Sequence, residues 1–244
     1  MYKISRFLRR IPGSRPEHFP SYWRNEYGGA WAAVAALVEG LLGYAQNHRA
    51  PTESPIENAP AGEYDGVDEF WFESAEAAHA FFPGELFLSR LAALEAKLFD
   101  REKSAVTAGQ VHRLWERPAA RKPDAVKVII QPVRKASLTH EEFVHHWIYV
   151  HSPLSLQGPN MRQNVQRVEF CPSDGKSYCG LKLAACEGTG AIWFDSAAGL
   201  RAEFESEYYR TTLAPDEKRF TDSARSRAMM TQEHMAWPLD GLLP

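Results

Sequence analysis

The sequence predicts an α+β fold in which one β-α-β-β-α-β unit occurs twice within 244 residues. Three observations carry that prediction. Phe19 and Trp23 recur as Phe143 and Trp147, 124 positions further on. Phe70-Trp71-Phe72-Glu73-Ser74-Ala75 recurs as Ile192-Trp193-Phe194-Asp195-Ser196-Ala197, offset by 122, and Trp115 recurs as Trp237 at the same offset. Six of the seven tryptophans thereby fall into three pairs at nearly one spacing. A repeat this long is a whole fold unit, not a solenoid turn of about 20–50 residues.

The second copy is the more legible. The β-branched run 126–132 reads as a strand that Pro132 ends. Thr139 with Glu142 three residues later is a capping box at a helix start. Phe143, Trp147, Val150 and His151 then share one helix face, and Pro153 is expected to stop the helix near His151. Residues 162–170 read as a second strand, with Asn164, Gln166 and Val168 on one face. Residues 190–194 read as a third. Ser196 caps a helix over 197–204, residues 205–219 are partly helical, and 228–237 form a closing strand. That order is the ferredoxin-like one, an antiparallel sheet backed by two helices.

The first copy repeats the order. It has a strand over 2–9, a helix over 17–26, strands over 44–50 and 67–72, a helix from Ala75 and a strand ending at Trp115. Residues 51–66 are Pro-rich and polar, hence a loop. An additional apolar run over 30–42 reads as helical. The repeats are assigned to 1–119 and 120–244. A sheet with helices on one face needs cover on the other, so the two sheets are expected to pack together as one body, with the basic stretch 117–127 a solvated linker outside it.

Composition narrows the function. With 44% hydrophobic and 24% charged residues the chain is ordinary globular protein. A net charge of -3 argues against a nucleic-acid partner, whose binding needs cationic surface. No apolar run is long enough for a membrane span or a signal peptide, so a cytoplasmic protein is expected. Cys171, Cys179 and Cys186 match no zinc spacing and read as free thiols. No GxGxxG, Walker loop or HExxH is present, so neither a cofactor nor a metal is expected.

Thr139-His140-Glu141-Glu142-Phe143, Trp147 and His151-Ser152-Pro153-Leu154 resemble the EthD family of the dimeric α/β-barrel superfamily. That family starts its helix with [Ser/Thr]-x-Glu-Glu-Phe, follows with a Trp and ends with His-x-Pro-Leu. Trp193-Phe194-Asp195-Ser196 is similar to its later strand-to-helix junction. The resemblance implies two tandem ferredoxin-like repeats packed sheet to sheet as an intramolecular dimeric α/β barrel. Relatives in the superfamily include cofactor-free cyclases, dehydratases, decarboxylases, monooxygenases, isomerases and haem-degrading enzymes. The first copy departs from the pattern, with Tyr27 where the second has His151.

His151 is the leading catalytic candidate, since an imidazole can take and return a proton near neutral pH. A helix-capping role is the alternative, and Tyr27 is its first-copy counterpart. His146, His145 and Tyr149 are read as pointing away from the apolar stripe. Gln46 and His48 share one strand face, as Asn164 and Gln166 do, and are candidate substrate-binding groups. His112 and His234 each precede a closing tryptophan by three residues. An odd separation puts them on the opposite strand face, looking into the barrel if the tryptophans pack under the helices. The function expected is a cofactor-independent lyase (dehydratase, decarboxylase or cyclase) using histidine acid/base chemistry on a hydrophobic aromatic or polyketide-like small molecule. The alternatives are a cofactor-free monooxygenase of phenols, a non-catalytic small-molecule binder and haem binding. A homodimer is allowed by the exposed helices.

Overall fold

Strand β1 (Tyr2–Leu8) is buried along its whole length because both of its faces are covered. Ile4 and Leu8 pack on one side with Phe70, Phe72 and the first-half helices. Phe7 packs on the other, with Val67 from its own half and Ile129 and Met229 from the second. Alternation along a strand therefore sorts side chains into a helix layer and a sheet-to-sheet interior. The computed structural model describes residues 1–50, 62–117, 122 and 124–237.

The first half continues through a helix at His18–Tyr22 (α1), a π-turn at Trp23–Tyr27 and a helix at Gly28–Val34 (α2). Strands β2 (Leu41–Arg49) and β3 (Gly66–Phe72) follow. Helices α3 (Ala75–Phe81), α4 (Glu85–Arg90) and α5 (Ala92–Leu98) lead to β4 (Ala105–Gln110) and β5 (His112–Glu116). The second half repeats this with β6 (Val126–Gln131), α6 (His140–His146), a π-turn at Trp147–His151, and the short helices α7 (Ser152–Ser155) and α8 (Met161–Asn164). Then come β7 (Val165–Pro172), the two-residue β8 (Lys182–Leu183), β9 (Gly188–Phe194) and α9 (Ala197–Phe204). A π-turn at Tyr209–Leu213, α10 (Ala214–Phe220) and β10 (Arg227–Trp237) complete it.

Strand order is β4-β1-β3-β2 in one half and β10-β6-β9-β7 in the other, the ferredoxin-like order twice. β10 pairs with β2 across one seam, and β5, the continuation of β4, pairs with β7 across the other. The sheet thus closes on itself as an intramolecular dimeric α/β barrel. At the second seam the Asp174 amide donates to the Ala108 carbonyl at 2.8 Å. Gly109 is required there, because a Cβ would lie 1.9 Å from the Pro172 carbonyl oxygen.

The barrel interior is not a uniformly apolar chamber. Its centre holds Lys3, Glu69, Lys127 and Glu169, all fully buried. The Lys3 ammonium lies 2.9 Å from Glu69 and 4.0 Å from Glu169, and Lys127 bonds Glu69 and, at 2.8 Å, Glu233. Arg113 reaches Glu169 at 3.0 Å, and the Trp193 indole donates to Glu233 at 2.9 Å. Burial alone would raise the Glu69 carboxyl, but Lys127 and Lys3 outweigh it and hold it down to about 2. Lys127 is accordingly a strand residue of the barrel centre, not part of a solvated linker. Arg117 and Lys122 are tied to Asp195 at 2.6 and 2.8 Å. Residues 118–121 and 123 of that stretch lie outside the described residues, as do 51–61 of the Pro-rich segment.

Two helical expectations shift. The first-half run 30–42 is helical only through a 3₁₀ turn at Ala35–Leu37, because Gly40 takes a positive φ of 70° and releases the chain into β2. The helix carrying His151 does not end at Pro153. The Ser152 amide bonds the Trp147 carbonyl five residues back, which widens the helix into a π-turn and carries it into α7. The Ser152 hydroxyl donates to the same carbonyl at 2.8 Å. The extra residue also rotates the apolar face. Ile148 turns inward and Val150 outward, the reverse of the regular-helix expectation.

Candidate active site

Between the second-half sheet and its helices lies a cavity of about 100 Å3. Its floor is Ile130, Val168, Phe170 and Ile192, and its roof includes Trp147, Phe204, Leu213 and Phe220. Trp147 stacks on Phe170 with ring centroids 4.4 Å apart. Gly190 beneath them permits this, since a Cβ there would lie 3.3 Å from both rings.

The first half fills the same space. Applying the two repeat offsets, Trp31 stands where Ser155 does, Arg6 where Ile130 does, Phe81 where Glu203 does and Phe99 where Thr221 does. Trp31 packs among Tyr44, Phe70 and Phe81 at centroid distances of 5.0, 4.8 and 5.1 Å. The Arg6 guanidinium pairs with Asp68 at 2.7 Å and Glu95 at 2.6 Å. Large side chains close the first pocket, and smaller ones open the second.

His151 lines the cavity from the π-turn. Its Nδ1 lies 3.0 Å from Asp216 Oδ2, and His146 Nε2 lies 3.0 Å from Asp216 Oδ1. The hydrogen bond from His151, against the opposing effect of burial, leads in holding Asp216 below the ordinary carboxylate range. An ionised Asp216 accepts from both rings, so His151 carries its proton on Nδ1 and turns Nε2 outward as the acceptor. Glu217 Oε1 lies 4.0 Å from that Nε2, and the Tyr209 hydroxyl donates to Glu217 Oε2 at 2.9 Å. Burial pushes Glu217 up, with His151 opposing it. His146 is thus a partner of Asp216, not a solvated side chain, whereas Tyr149 is exposed as the sequence suggests.

The other candidates lie apart from this cavity. Tyr27 is sealed at 0% exposure, its hydroxyl 3.0 Å from both Arg6 Nη2 and Glu95 Oε2. Burial, with Arg6 opposing, raises its phenol well above the ordinary value. Gln46 and His48 face the helix layer, not the barrel interior. Gln46 Nε2 donates to the Trp23 carbonyl at 2.8 Å, and the His48 ring lies 4.5 Å from Trp23. Burial, with Arg24 and His234, lowers His48 to about 4. His234 stands opposite Gln46, and His112 opposite Phe170, so these histidines also face the helix layer. The closing tryptophans pack there as well, Trp115 with the second-half core and Trp237 with the first. The reason is a bulge between each His and its Trp, at Arg113/Trp115 and Met235/Trp237, which cancels the odd spacing. Asn164 ends α8 instead of starting a strand, and its side chain lies against Gly199. Gln166 Nε2 donates to Asp195 at 2.8 Å.

Sequence reasoning missed Asp216, Glu217, Tyr209 and Glu203. Two of them left a signal. Glu217 is the counterpart of the buried Glu95 at the 122 offset, and Glu203 shares an apolar stripe with Leu200 and Phe204. Among the described residues no group of three His, Cys, Asp or Glu side chains is arranged to hold a metal. No helix there is long and apolar enough to cross a membrane.

The closed sheet, with both of its halves in one chain and a cavity under the helices of one of them, defines a dimeric α/β-barrel protein. The EthD domain matches residues 11–102 and again 135–224. The chain belongs to the EthD family, in two tandem copies. Among solved structures it is similar to a candidate monooxygenase from Lactobacillus acidophilus NCFM, at 11% identity over 97% of this chain and 95% of that one, with a TM-score of 0.57. An anthrone oxidase-like protein is similar at 12% identity, 96% and 92% coverage and a TM-score of 0.59. Chlorite dismutase from Candidatus Nitrospira defluvii is similar at 10% identity, 99% and 93% coverage and a TM-score of 0.52. Identities this low establish a shared fold. No curated protein matches the chain in sequence.

Proposed function

We propose that this chain is an enzyme acting on a hydrophobic, oxygenated small molecule of aromatic or polyketide-like type, by proton transfer at His151 and without a cofactor. The observation that carries the reading is the His151–Asp216 pair at 3.0 Å, with His151 in the wall of a cavity lined mainly by apolar side chains. Asp216 fixes the tautomer and stabilises the imidazolium that forms when Nε2 takes a proton. An apolar, water-poor wall strengthens such interactions.

The chemistry is a lyase step. Nε2 removes a proton from a carbon beside a carbonyl, and the C–H electrons pass into an enolate. The enolate then expels a β-hydroxyl, which leaves as water after taking the proton back. A cavity of about 100 Å3 has room for at most one ring of the substrate. Replacing His151 by Ala in a variant that folds normally is expected to lower turnover of a β-hydroxy cyclic ketone by roughly 10²–10⁴-fold. Unchanged turnover would remove the reading.

A second reading is supported by the names of two structural neighbours, a candidate monooxygenase and an anthrone oxidase-like protein. The same histidine would deprotonate a phenol, which dioxygen then oxidises to the quinone with release of water. That reaction consumes one dioxygen per quinone and stops under anaerobiosis, whereas the lyase step is indifferent to oxygen.

A further inference from the structure

Glu203, the one acidic residue of α9, is buried at 3% exposure and lines the second-half cavity. Neither of its carboxyl oxygens has a hydrogen-bond partner among the described residues. A polar group left unsatisfied in a packed interior costs free energy and calls for an explanation. The first half shows what packing alone would place there, because Phe81 occupies the equivalent position among Trp31, Phe82 and Phe87. Glu203 therefore serves no packing purpose that Phe81 does not serve better.

We propose that Glu203 is the ligand-recognising group of the cavity: its unpartnered carboxyl, when protonated, donates a hydrogen bond to the oxygen of a neutral, single-ring ketone or phenol. The proposal deepens the functional reading above and rests on the same cavity. The titratable groups around Glu203 are Tyr208 and Tyr209 beside it, with His151 and Glu217 sharing the cavity wall. None of them is bonded to its carboxyl. Burial, with nothing to offset it, pushes Glu203 up to about 7. The protonated form supplies the donor that a carbonyl needs, and an ionised carboxylate would instead select a cation. The volume, about two thirds of an apolar cavity known to admit benzene, limits the ligand to at most a single small ring. With the ketone oxygen held by Glu203, the electron pair released when His151 removes the α-proton moves onto an oxygen that already accepts from an acid.

The test is calorimetric titration of the full chain with cyclohexanone and with cyclohexylammonium, between pH 5.5 and 8.5. Wild type should bind cyclohexanone and lose affinity at least about tenfold as pH rises through 7. Glu203→Gln keeps a neutral donor and should bind with no such pH dependence, while Glu203→Leu should bind at least about tenfold more weakly. Equal affinity in Glu203→Leu, a pH dependence that survives in Glu203→Gln, or preference for cyclohexylammonium would each overturn the proposal. Should Glu203→Leu fail to fold, the Glu203→Gln pH profile decides alone. Loss of turnover in His151→Ala together with unchanged cyclohexanone binding in Glu203→Leu would refute this proposal and spare the catalytic one.

Discussion

His151 and Tyr27 hold the same place on two copies of one π-turn, and their surroundings give them opposite roles. Around Tyr27, Arg6, Glu95 and Trp31 fill every gap, so the hydroxyl is a fixed structural bond. Around His151 the equivalents of Arg6 and Trp31 are Ile130 and Ser155, and the imidazole meets open space. Tyr27→Phe is therefore expected to cost about 1–3 kcal/mol of stability, because it strips a buried network of one partner. Urea denaturation checks that value, and turnover should not change beyond the loss of folded protein. Glu203 sets a pH dependence of its own. Its carboxyl is raised from 4.5 to about 7, so folding is favoured below 4.5 and that contribution fades as pH rises through 7. The urea midpoint of wild type should fall over that interval, and that of Glu203→Gln should not.

At the scale of elements, the parts legible in the sequence were those set by local chemistry. The capping box at Thr139 forms as expected, with Glu142 accepting from the Thr139 amide at 2.8 Å, and Thr139→Ala should cost about 1 kcal/mol by urea denaturation. The Ser196 cap also forms, its hydroxyl accepting from the Gly199 amide. What stayed hidden were phase changes of one residue. The π-turn at Trp147–His151 swapped Ile148 for Val150 on the buried face, and the bulges before Trp115 and Trp237 swung His112 and His234 to the helix side. The two π-turns leave no composition signal, because their Trp carbonyls take added donors, Ser152 for Trp147 and Gln46 for Trp23, and the bulges are register shifts set by strand pairing. The site residues from α9 and α10 were missed for a related reason. Glu203, Asp216 and Glu217 come to His151 through tertiary packing, and the sequence near His151 does not contain them.

For the whole molecule, duplication gave a barrel whose shared residues build the frame and whose differences carry the chemistry. Lys3 and Lys127 occupy equivalent strand positions, beside Trp71 and Trp193, and with Glu69 and Glu169 they fill the centre. Breaking such a buried pair leaves an uncompensated charge, so Glu69→Ala should cost about 3–5 kcal/mol. Because Glu69 is held down to about 2, its contribution is present above the ordinary carboxylate range and vanishes as pH falls toward 2. Chemical denaturation at pH 7 and pH 2.5 should show a large deficit in Glu69→Ala at the first and a smaller one at the second.

The central claim is that ligand enters the second half alone, under the helices and not within the barrel. The tryptophans report on the three compartments separately: Trp147 on the second-half cavity, Trp23 and Trp31 on the first-half helix layer, and Trp71 and Trp193 on the barrel interior. Titrating cyclohexanone at pH 6 into protein labelled with 15N at its indoles measures all of them at once. A saturable shift of the Trp147 indole signal is expected, with those of Trp23, Trp31, Trp71 and Trp193 unmoved. Shifts at Trp71 and Trp193, or at Trp23 and Trp31 as large as that of Trp147, would contradict it.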